Sequence, residues 1–198
     1  MKSKIVFATN NLNKLKEVQE LLPNFDVLSL KDIGCTEDIA ETGSTFHENA
    51  LIKAKYVSTK YKISCFADDS GLTVEALNGV PGIFSARFAG EQKSDEANNI
   101  KLLKQLEGIE NRAAAFVCSI CYCDYQNEDK LNVHYFEGKI KGDISIGLNG
   151  RKGFGYDPLF VPVFHQTTFA EMTLEQKNKI SHRARAVTDF VSYITAKI

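Results

Sequence analysis

Apolar residues along this chain switch repeatedly between a period of about 2 and one of about 3.6, and the switches mark its elements. The run Lys4–Ala8 predicts a strand. After Thr9-Asn10-Asn11-Leu12-Asn13, the residues Leu15, Val18, Leu21 and Leu22 recur at helical spacing until Pro23-Asn24 ends them. Phe25–Leu30 predicts a second strand, followed by the polar loop Thr36–Gly43. Thr45 and Glu48 then read as a T-x-x-E capping box opening a helix whose inner face is Phe46, Ala50, Ala54, Val57 and Tyr61. Ile63–Ala67 predicts a buried strand that stops at Asp68-Asp69. A Gly/Pro-rich segment, Leu77–Gly90, precedes a helix around Ser94–Leu106. Strands follow at Ala113–Tyr125 and Leu131–Ile140, with a third over Asp143–Ile146, then a Gly-rich loop, Gly147–Gly155. Thr173 and Gln176 cap a last helix running to about Lys197. No repeat or linker interrupts the order, so a single α/β domain over residues 1–198 is expected, with a central mixed sheet flanked by helices.

Composition narrows the partners. At 198 residues and 43% hydrophobic, the chain can bury a sizeable core. Its net charge is −1, from 24 basic and 25 acidic residues, so nothing global favours a nucleic-acid duplex or an anionic membrane. No apolar stretch approaches the roughly 18 residues of a membrane span. The N-terminus runs into a strand with no signal-peptide pattern, which makes the cytoplasm the expected location. Cys118, Cys121 and Cys123 form C-x-x-C-x-C, yet a structural zinc site wants four ligands and no second pair follows. Alternation of Phe116, Cys118 and Ile120 with Val117, Ser119 and Cys121 favours strand packing.

Candidate chemistry gathers in the loops. Asp68 and Asp69 sit where a strand emerges, the usual ligand side of an α/β sheet, and a divalent cation is one way to keep both ionised. Asp, Ser and Gly also form turns, so Asp68-Asp69-Ser70-Gly71 alone is compatible with a plain turn. The Thr9–Lys14 junction offers helix-start N–H groups and an ammonium to a phosphate, or is an ordinary cap. Counting about 100° per residue puts Lys53 roughly 20° from Phe46, on the edge of the apolar stripe, where an ammonium either snorkels or meets an anion. In Gly153-Phe154-Gly155-Tyr156-Asp157 the glycines allow close approach and the aromatics offer flat faces, although both rings could be core. Arg183 falls toward the buried stripe of the last helix, so either the helix breaks near Ser181 or Arg183 and His182 face a polar pocket; Lys177 lies on the other edge. Glu41 alone suggests nothing. Together these features suggest a nucleotide polyphosphate bound with Mg²⁺.

The motifs Thr9-x-Asn11-x-x-Lys14, Glu41-Thr42-Gly43-Ser44-Thr45-Phe46-x-Glu48-Asn49-Ala50-x-x-Lys53-Ala54, Ala67-Asp68-Asp69-Ser70-Gly71-Leu72, Pro81–Phe88, Gly153-Phe154-Gly155-Tyr156-Asp157-Pro158-x-Phe160 and Ser181-His182-Arg183, in this order, carry a resemblance. The chain resembles the non-canonical purine nucleoside triphosphate pyrophosphatases, the inosine/xanthosine triphosphatase family, nearly end to end. The resemblance implies an elongated α/β fold with a long mixed sheet, two lobes with a nucleotide cleft between them, and a homodimer. It implies hydrolysis of ITP, dITP and XTP to the monophosphate and pyrophosphate with Mg²⁺, clearing deaminated purines from the nucleotide pool. Carried over, Thr9, Asn10, Asn11, Leu12, Asn13 and Lys14 hold the triphosphate. Asp69 is the general base and metal-site acid, Glu41 the second metal ligand and Asp68 a support. Ser70 and Lys53 contact phosphate, while Phe154, Gly155, Tyr156, Asp157, Lys177, His182 and Arg183 surround the nucleoside. Asn13 departs from the pattern, standing where many members have Gly.

The expected mechanism is in-line attack of water on the α-phosphorus with Asp69 as base and with Lys14 and Lys53 neutralising the leaving pyrophosphate. Donors on His182 and Arg183 would read the 6-oxo group of hypoxanthine and xanthine and leave adenine's amino group facing donors. Two other readings compete: a phosphatase that releases orthophosphate, and a nucleotide sensor without turnover.

Overall fold

The computed structural model describes residues 2–127 and 130–196. Its elements, in chain order, are β1 (Ser3–Phe7), α1 (Leu12–Leu21), β2 (Phe25–Leu28), α2 (Phe46–Tyr61), β3 (Cys65–Val74), α3 (Asp95–Gln105), β4 (Ala113–Asn127), β5 (Lys130–Ile144), β6 (Phe160–Pro162), α4 (Leu174–Asn178) and α5 (His182–Thr195). The strands form one sheet in the order β2-β1-β3-β4-β5-β6. It is mixed: β1 runs parallel to β2 and β3, whereas β6 is antiparallel to β5. The expected α/β class with a mixed sheet is what forms.

The chain divides into two compact units. The first comprises Met1–Asp69, Cys118–Gly138 and Arg183–Ile198, and the second Ser70–Val117 and Lys139–His182.

Strand parity builds the first unit. Successive side chains of a strand point to opposite faces, so each strand contributes two rows. Ile5 and Phe7, Phe66, and Cys118 and Ile120 pack with Val18 and Leu22 of α1 and with Ala186, Val187, Phe190 and Ile194 of α5. The alternate residues Val6 and Ala8, Cys65 and Ala67, and Cys121 and Cys123 pack with Ala50, Ala54 and Val57 of α2. Phe66 stacks on Phe7 at 4.6 Å and meets Phe190 at 4.7 Å. Burying each such ring contributes about 1.5–3 kcal/mol. All five cysteines are buried and free, and Cys118, Cys121 and Cys123 lie within β4, as strand packing requires.

The second unit has its own core, in which Leu72, Val74, Phe116, Ile140, Ile144 and Phe160 pack with Leu102 and Leu106 of α3 and with Tyr156, Phe169 and Met172.

Four local expectations change. The strand expected to stop at Asp68-Asp69 continues through the pair to Val74. Its last residue paired with β1 is Phe66, opposite Phe7, so both acids lie just past the end of β1. At the start of α2, Thr45 accepts the Glu48 N–H as expected. The Glu48 carboxylate, however, reaches past Thr45 to the Ser44 amide and hydroxyl, so only half of the capping box forms. The expected breaks around residues 140–143 are absent, β5 being continuous to Ile144, and the short β6 was not anticipated because three residues carry no readable period. The single C-terminal helix is two. A full Thr173–Gln176 capping box opens α4, α4 ends at Asn178, and α5 starts afresh at His182. Lys197, the expected end, lies outside the described residues.

Gly142 sits where β5 meets β6, and a Cβ there would lie 2.2 Å from the Val161 carbonyl oxygen. Gly142→Ala should therefore destabilise the protein by about 1–3 kcal/mol, read as a lower urea midpoint with an unchanged slope.

Candidate active site

In the first unit, six of the expected residues converge around β3. Because β3 passes through the acid pair, Asp68 follows Phe66 onto the face covered by α1 and α5, and Asp69 follows Ala67 onto the face covered by α2. Adjacent carboxylates thus meet different partners.

Asp68 is 1% exposed and enclosed by cations. Lys14 of α1 donates to its Oδ1 at 3.1 Å. Arg183, at the start of α5, donates to its Oδ2 from Nε and Nη2, both at 3.1 Å. The Cys118 thiol, which burial and the Asp68 charge keep protonated, adds a long contact of 3.7 Å to the same oxygen. Burial alone would raise the carboxyl pKa, but Lys14, Arg183 and Lys53 outweigh it and hold Asp68 well below the usual carboxylate range. The other end of the guanidinium, Nη1, is paired with the buried Glu17 of α1. An uncompensated buried guanidinium costs several kcal/mol. Two carboxylates from different elements remove that cost and fix Arg183 in place. The break between α4 and α5 and the anionic surroundings of Arg183 are therefore both realised.

Asp69 has a different environment. Asn49 Nδ2 of α2 donates to its Oδ2 at 3.0 Å, and Asn49 Oδ1 accepts the Gly43 N–H at 2.8 Å. Gly43 has to be glycine, because a Cβ would stand 2.6 Å from that of Glu48. Burial raises the pKa of Asp69 above its ordinary 3.8; Lys53 and Lys14 pull it down in part, while the negative charge of Glu41 pushes it further up. Lys53 of α2, placed by the sequence on the stripe edge, donates to Glu41 Oε1 at 2.5 Å. Burial opposes its charge, but Glu41, Asp69 and Asp68 together raise its pKa and keep it an ammonium.

The Thr9–Lys14 junction is a well-made cap. Thr9 Oγ1 accepts the Asn11 N–H at 3.1 Å, and Asn11 Oδ1 accepts the N–H groups of Asn13 and Lys14 at 2.9 and 3.1 Å. Asn10, Leu12 and Asn13 are exposed, Leu12 at 77%. The amides of Asn11, Asn13 and Lys14 are thus satisfied internally, and the Lys14 ammonium, partly exposed beside Asp68, is the cation this junction presents.

In the second unit the turn Phe154–Asp157 is held together by its own acid. Asp157, 2% exposed, accepts the Phe154 N–H at 3.0 Å and the Lys177 ammonium at 2.6 Å. Gly153 has φ +75°, and a Cβ there would lie 2.0 Å from Asp157 Oδ2, so glycine is required twice over. Lys177 lies 5.0 Å from the Phe154 ring centre and 5.3 Å from that of Phe169, within cation–π range. Tyr156 belongs to the core and donates to the Ser85 carbonyl at 2.9 Å, whereas Phe154 is half-buried. His182 stacks on Phe116 at 4.7 Å, nearly parallel. Ser70 is half-buried and also belongs to this unit. A separate concavity of about 610 Å³ around Leu103, Ile109, Arg112 and Ile146 holds none of the expected residues. Its Arg112 is spent on the carbonyls of Leu106, Ile144 and Ser145.

The Ham1 family model matches residues 5–193. The chain belongs to the Ham1 family. It is 50% identical to a dITP/XTP pyrophosphatase of Flavobacterium psychrophilum over 96% of this chain and 97% of that protein. It is 47% identical to the dITP/XTP pyrophosphatase of Bacillus subtilis over 92% of each. Among solved structures, the Ham1 protein of Staphylococcus aureus superposes with a TM-score of 0.87 at 40% identity, covering 99% of this chain and 100% of that one.

For a Ham1 protein, two residues now stand out that the sequence reading passed over. Glu17 follows Lys14 by one helical turn and precedes Leu21 by another, so a sequence signal existed: an acid on the flank of an apolar stripe beside a candidate cation. Asn49 was visible inside a motif but had no assigned partner.

The two acids carry opposite consequences for stability. With its folded pKa depressed, ionised Asp68 contributes stability above about pH 4, lost only as pH falls through the folded value. With its pKa raised, ionised Asp69 costs stability at neutral pH, and the cost vanishes on acidification. At pH 7 Asp68→Asn should therefore lose about 3–5 kcal/mol, since it leaves the buried Arg183 with Glu17 as its remaining carboxylate and takes away the partner of Lys14. Asp69→Asn should melt at or above the wild-type temperature. Urea and thermal denaturation of the two variants side by side check this.

Proposed function

We propose that this protein hydrolyses ITP, dITP and XTP to the nucleoside monophosphate and pyrophosphate, removing deaminated purines from the nucleotide pool. The observation that carries the reading is the opposed tuning of neighbouring acids, Asp68 held down by Lys14 and Arg183 and Asp69 pushed up by burial and Glu41. A pair whose environments drive their pKa values apart is how proteins divide structural and proton-transfer roles. Names of relatives at 47–50% identity support the substrate class.

In the proposed step, the oxygen of a water molecule bonds to the α-phosphorus while the bond to the bridging oxygen breaks in line. Asp69 takes the proton, and pyrophosphate leaves with the bridging oxygen. Asp68 takes no proton; its part is to hold Arg183 and Lys14 in register. Lys14 and Lys53 face the developing negative charge on the phosphates, with Thr9, Asn11 and Ser70 as side-chain donors. Phe154 offers a face to the base, and Lys177 and Asp157 fix that face. With Arg183 committed to Asp68 and Glu17, the reading of the 6-oxo group rests first on His182.

Glu41 and Asp69 fit a hard divalent cation. They feel each other's charge, and the Lys53 ammonium already stands against Glu41 as a stand-in cation. Among the described residues no group of three or more His, Cys, Asp or Glu is arranged to hold a metal. Two carboxylates suit Mg²⁺ nonetheless, because it usually draws its remaining ligands from substrate phosphates and water. Bound there, Mg²⁺ would neutralise phosphate charge and acidify the attacking water. We also read the chain as one cytoplasmic catalytic domain and, on the strength of the family resemblance, as a homodimer.

With Mg²⁺ present, ITP and XTP should release pyrophosphate while ATP, whose 6-amino group would face donors, reacts far more slowly. Orthophosphate as the product would reject the reaction. Asp69→Asn should lower kcat by about 10²–10⁴-fold. Without metal the Asp69 carboxyl should titrate above its ordinary 3.8, because burial and Glu41 raise it, and added Mg²⁺ should lower it; NMR titration of the carboxyl checks both.

A further inference from the structure

Two residues of α3 that no role above employs hold the aromatic turn of the second unit by its backbone. Asp95 opens α3 and Asn99 lies one turn later, so the two side chains share a helix face. Asp95 Oδ2 accepts the Gly155 N–H at 2.7 Å, and Asn99 Nδ2 donates to the Gly155 carbonyl at 2.9 Å. Both polar groups of a single peptide residue are therefore taken by one helix. Gly155 has φ +60°, and nothing lies within 4 Å of where its Cβ would be, so glycine serves the backbone conformation there rather than space. On either side of it, Phe154 is tied through its N–H to Asp157, and Tyr156 through its hydroxyl to the Ser85 carbonyl. Phe154 carries the half-buried ring of this turn.

Neither α3 residue is needed to cap the helix, although a first-turn acid such as Asp95 also suits the helix dipole. The N-cap is Ser94, whose hydroxyl accepts the Ala97 N–H, so the helix start does not need Asp95 as a cap. Asn99 is 4% exposed, and its Oδ1 is buried with no hydrogen-bond partner among the described residues. A buried amide with one bare end is a cost to folding that an apolar residue, continuing the row of Leu102 and Leu106, would avoid. What the amide does accomplish is the bond to Gly155.

We propose that Asp95 and Asn99 are positioning residues for nucleobase recognition, clamping Gly155 so that the Phe154 face is ordered before a purine stacks on it. The clamp moves the ordering cost of the turn from binding to folding, and affinity rises by what binding no longer loses. It rests on the reading of Phe154–Asp157 as the nucleoside-contacting segment, and adds α3 to that segment's machinery.

The test has two arms on the full chain. In the first, hydrogen exchange without nucleotide should find the Gly155 amide protected in the wild type and exchanging at least about tenfold faster in Asp95→Ala. Asp95→Asn keeps an acceptor oxygen and should retain the protection. In the second arm, Asp95→Ala and Asn99→Ala should raise KM for ITP by about tenfold with kcat within about threefold, the signature of lost ground-state binding. Asp95→Asn should restore KM. Asp95 is exposed, so its variants keep the test readable if Asn99→Ala does not fold. Unchanged protection in Asp95→Ala overturns the clamp. Lost protection with unchanged KM, or a fall in kcat at constant KM, overturns the positioning role. A wild-type protein that hydrolyses neither ITP nor XTP would overturn the functional reading instead, and the exchange arm would still decide whether the clamp exists.

Discussion

The ion network of buried Asp68, Arg183 and Glu17 with the partly exposed Lys14 is the constraint on which the first unit depends. Three charges from α1, β3 and α5 are withdrawn from water, with Lys14 at the partly exposed edge, and the buried ones are tolerable only because the others are in place. Such a network is a poor source of net stability compared with apolar packing, but it is demanding about geometry. Losing one member exposes the remaining charges to the full cost of burial. The row Phe7, Phe66 and Phe190 beside it supplies cohesion, while the ions fix which end of α1 and which end of α5 meet the middle of β3.

That demand explains the division of labour between the adjacent acids. Asp68 is saturated with cations and is unsuited to exchanging a proton near neutrality. Asp69 is kept company mainly by an amide and by a second carboxylate, with Lys53 as the balancing charge. The chemistry follows from which helix covers which face of the sheet, and the helix packing follows from the alternation of apolar residues on the strands.

Much of this was legible along the chain, because the period of the apolar residues fixes parity and parity fixes the face. The strands around Lys4–Ala8 and Ile63–Ala67, the inner face of α2 and the strand packing of the cysteines all followed from it. The end of β3 did not, since Asp68 and Asp69 look like a turn when the partners of Asp68, 54 and 115 residues away, and that of Asp69, 20 residues away, are invisible. Buried charge reads as surface until its counter-ion is known, and that is also why Glu17 was passed over. The split between α4 and α5 was foreseeable only as an alternative raised by Arg183. Among the candidate residues, Lys53 was found by its angle on the helix, whereas Glu41 had no local signal and Asn49 drew its meaning from Asp69. The aromatic turn was visible as a motif, but its division into a core tyrosine and a half-buried phenylalanine depends on Ser85 and Lys177, which no local pattern links to it.

The passage of β3 straight through the acid pair has a consequence for how this sequence can change. A strand has only two faces, so inserting or deleting one residue upstream of Asp68 within β3 would turn every following side chain to the other side. A deletion would bring Asp69 to the cation-saturated position and an insertion would bring Ala67, and in either case Asp68 would turn to the α2 face, away from Arg183. Substitutions here can be tuned one at a time, but the spacing cannot. Between Cys65 and Asp69 the protein behaves like a reading frame: letters can be exchanged, whereas a shift of one scrambles both messages written on opposite sides of the same strand.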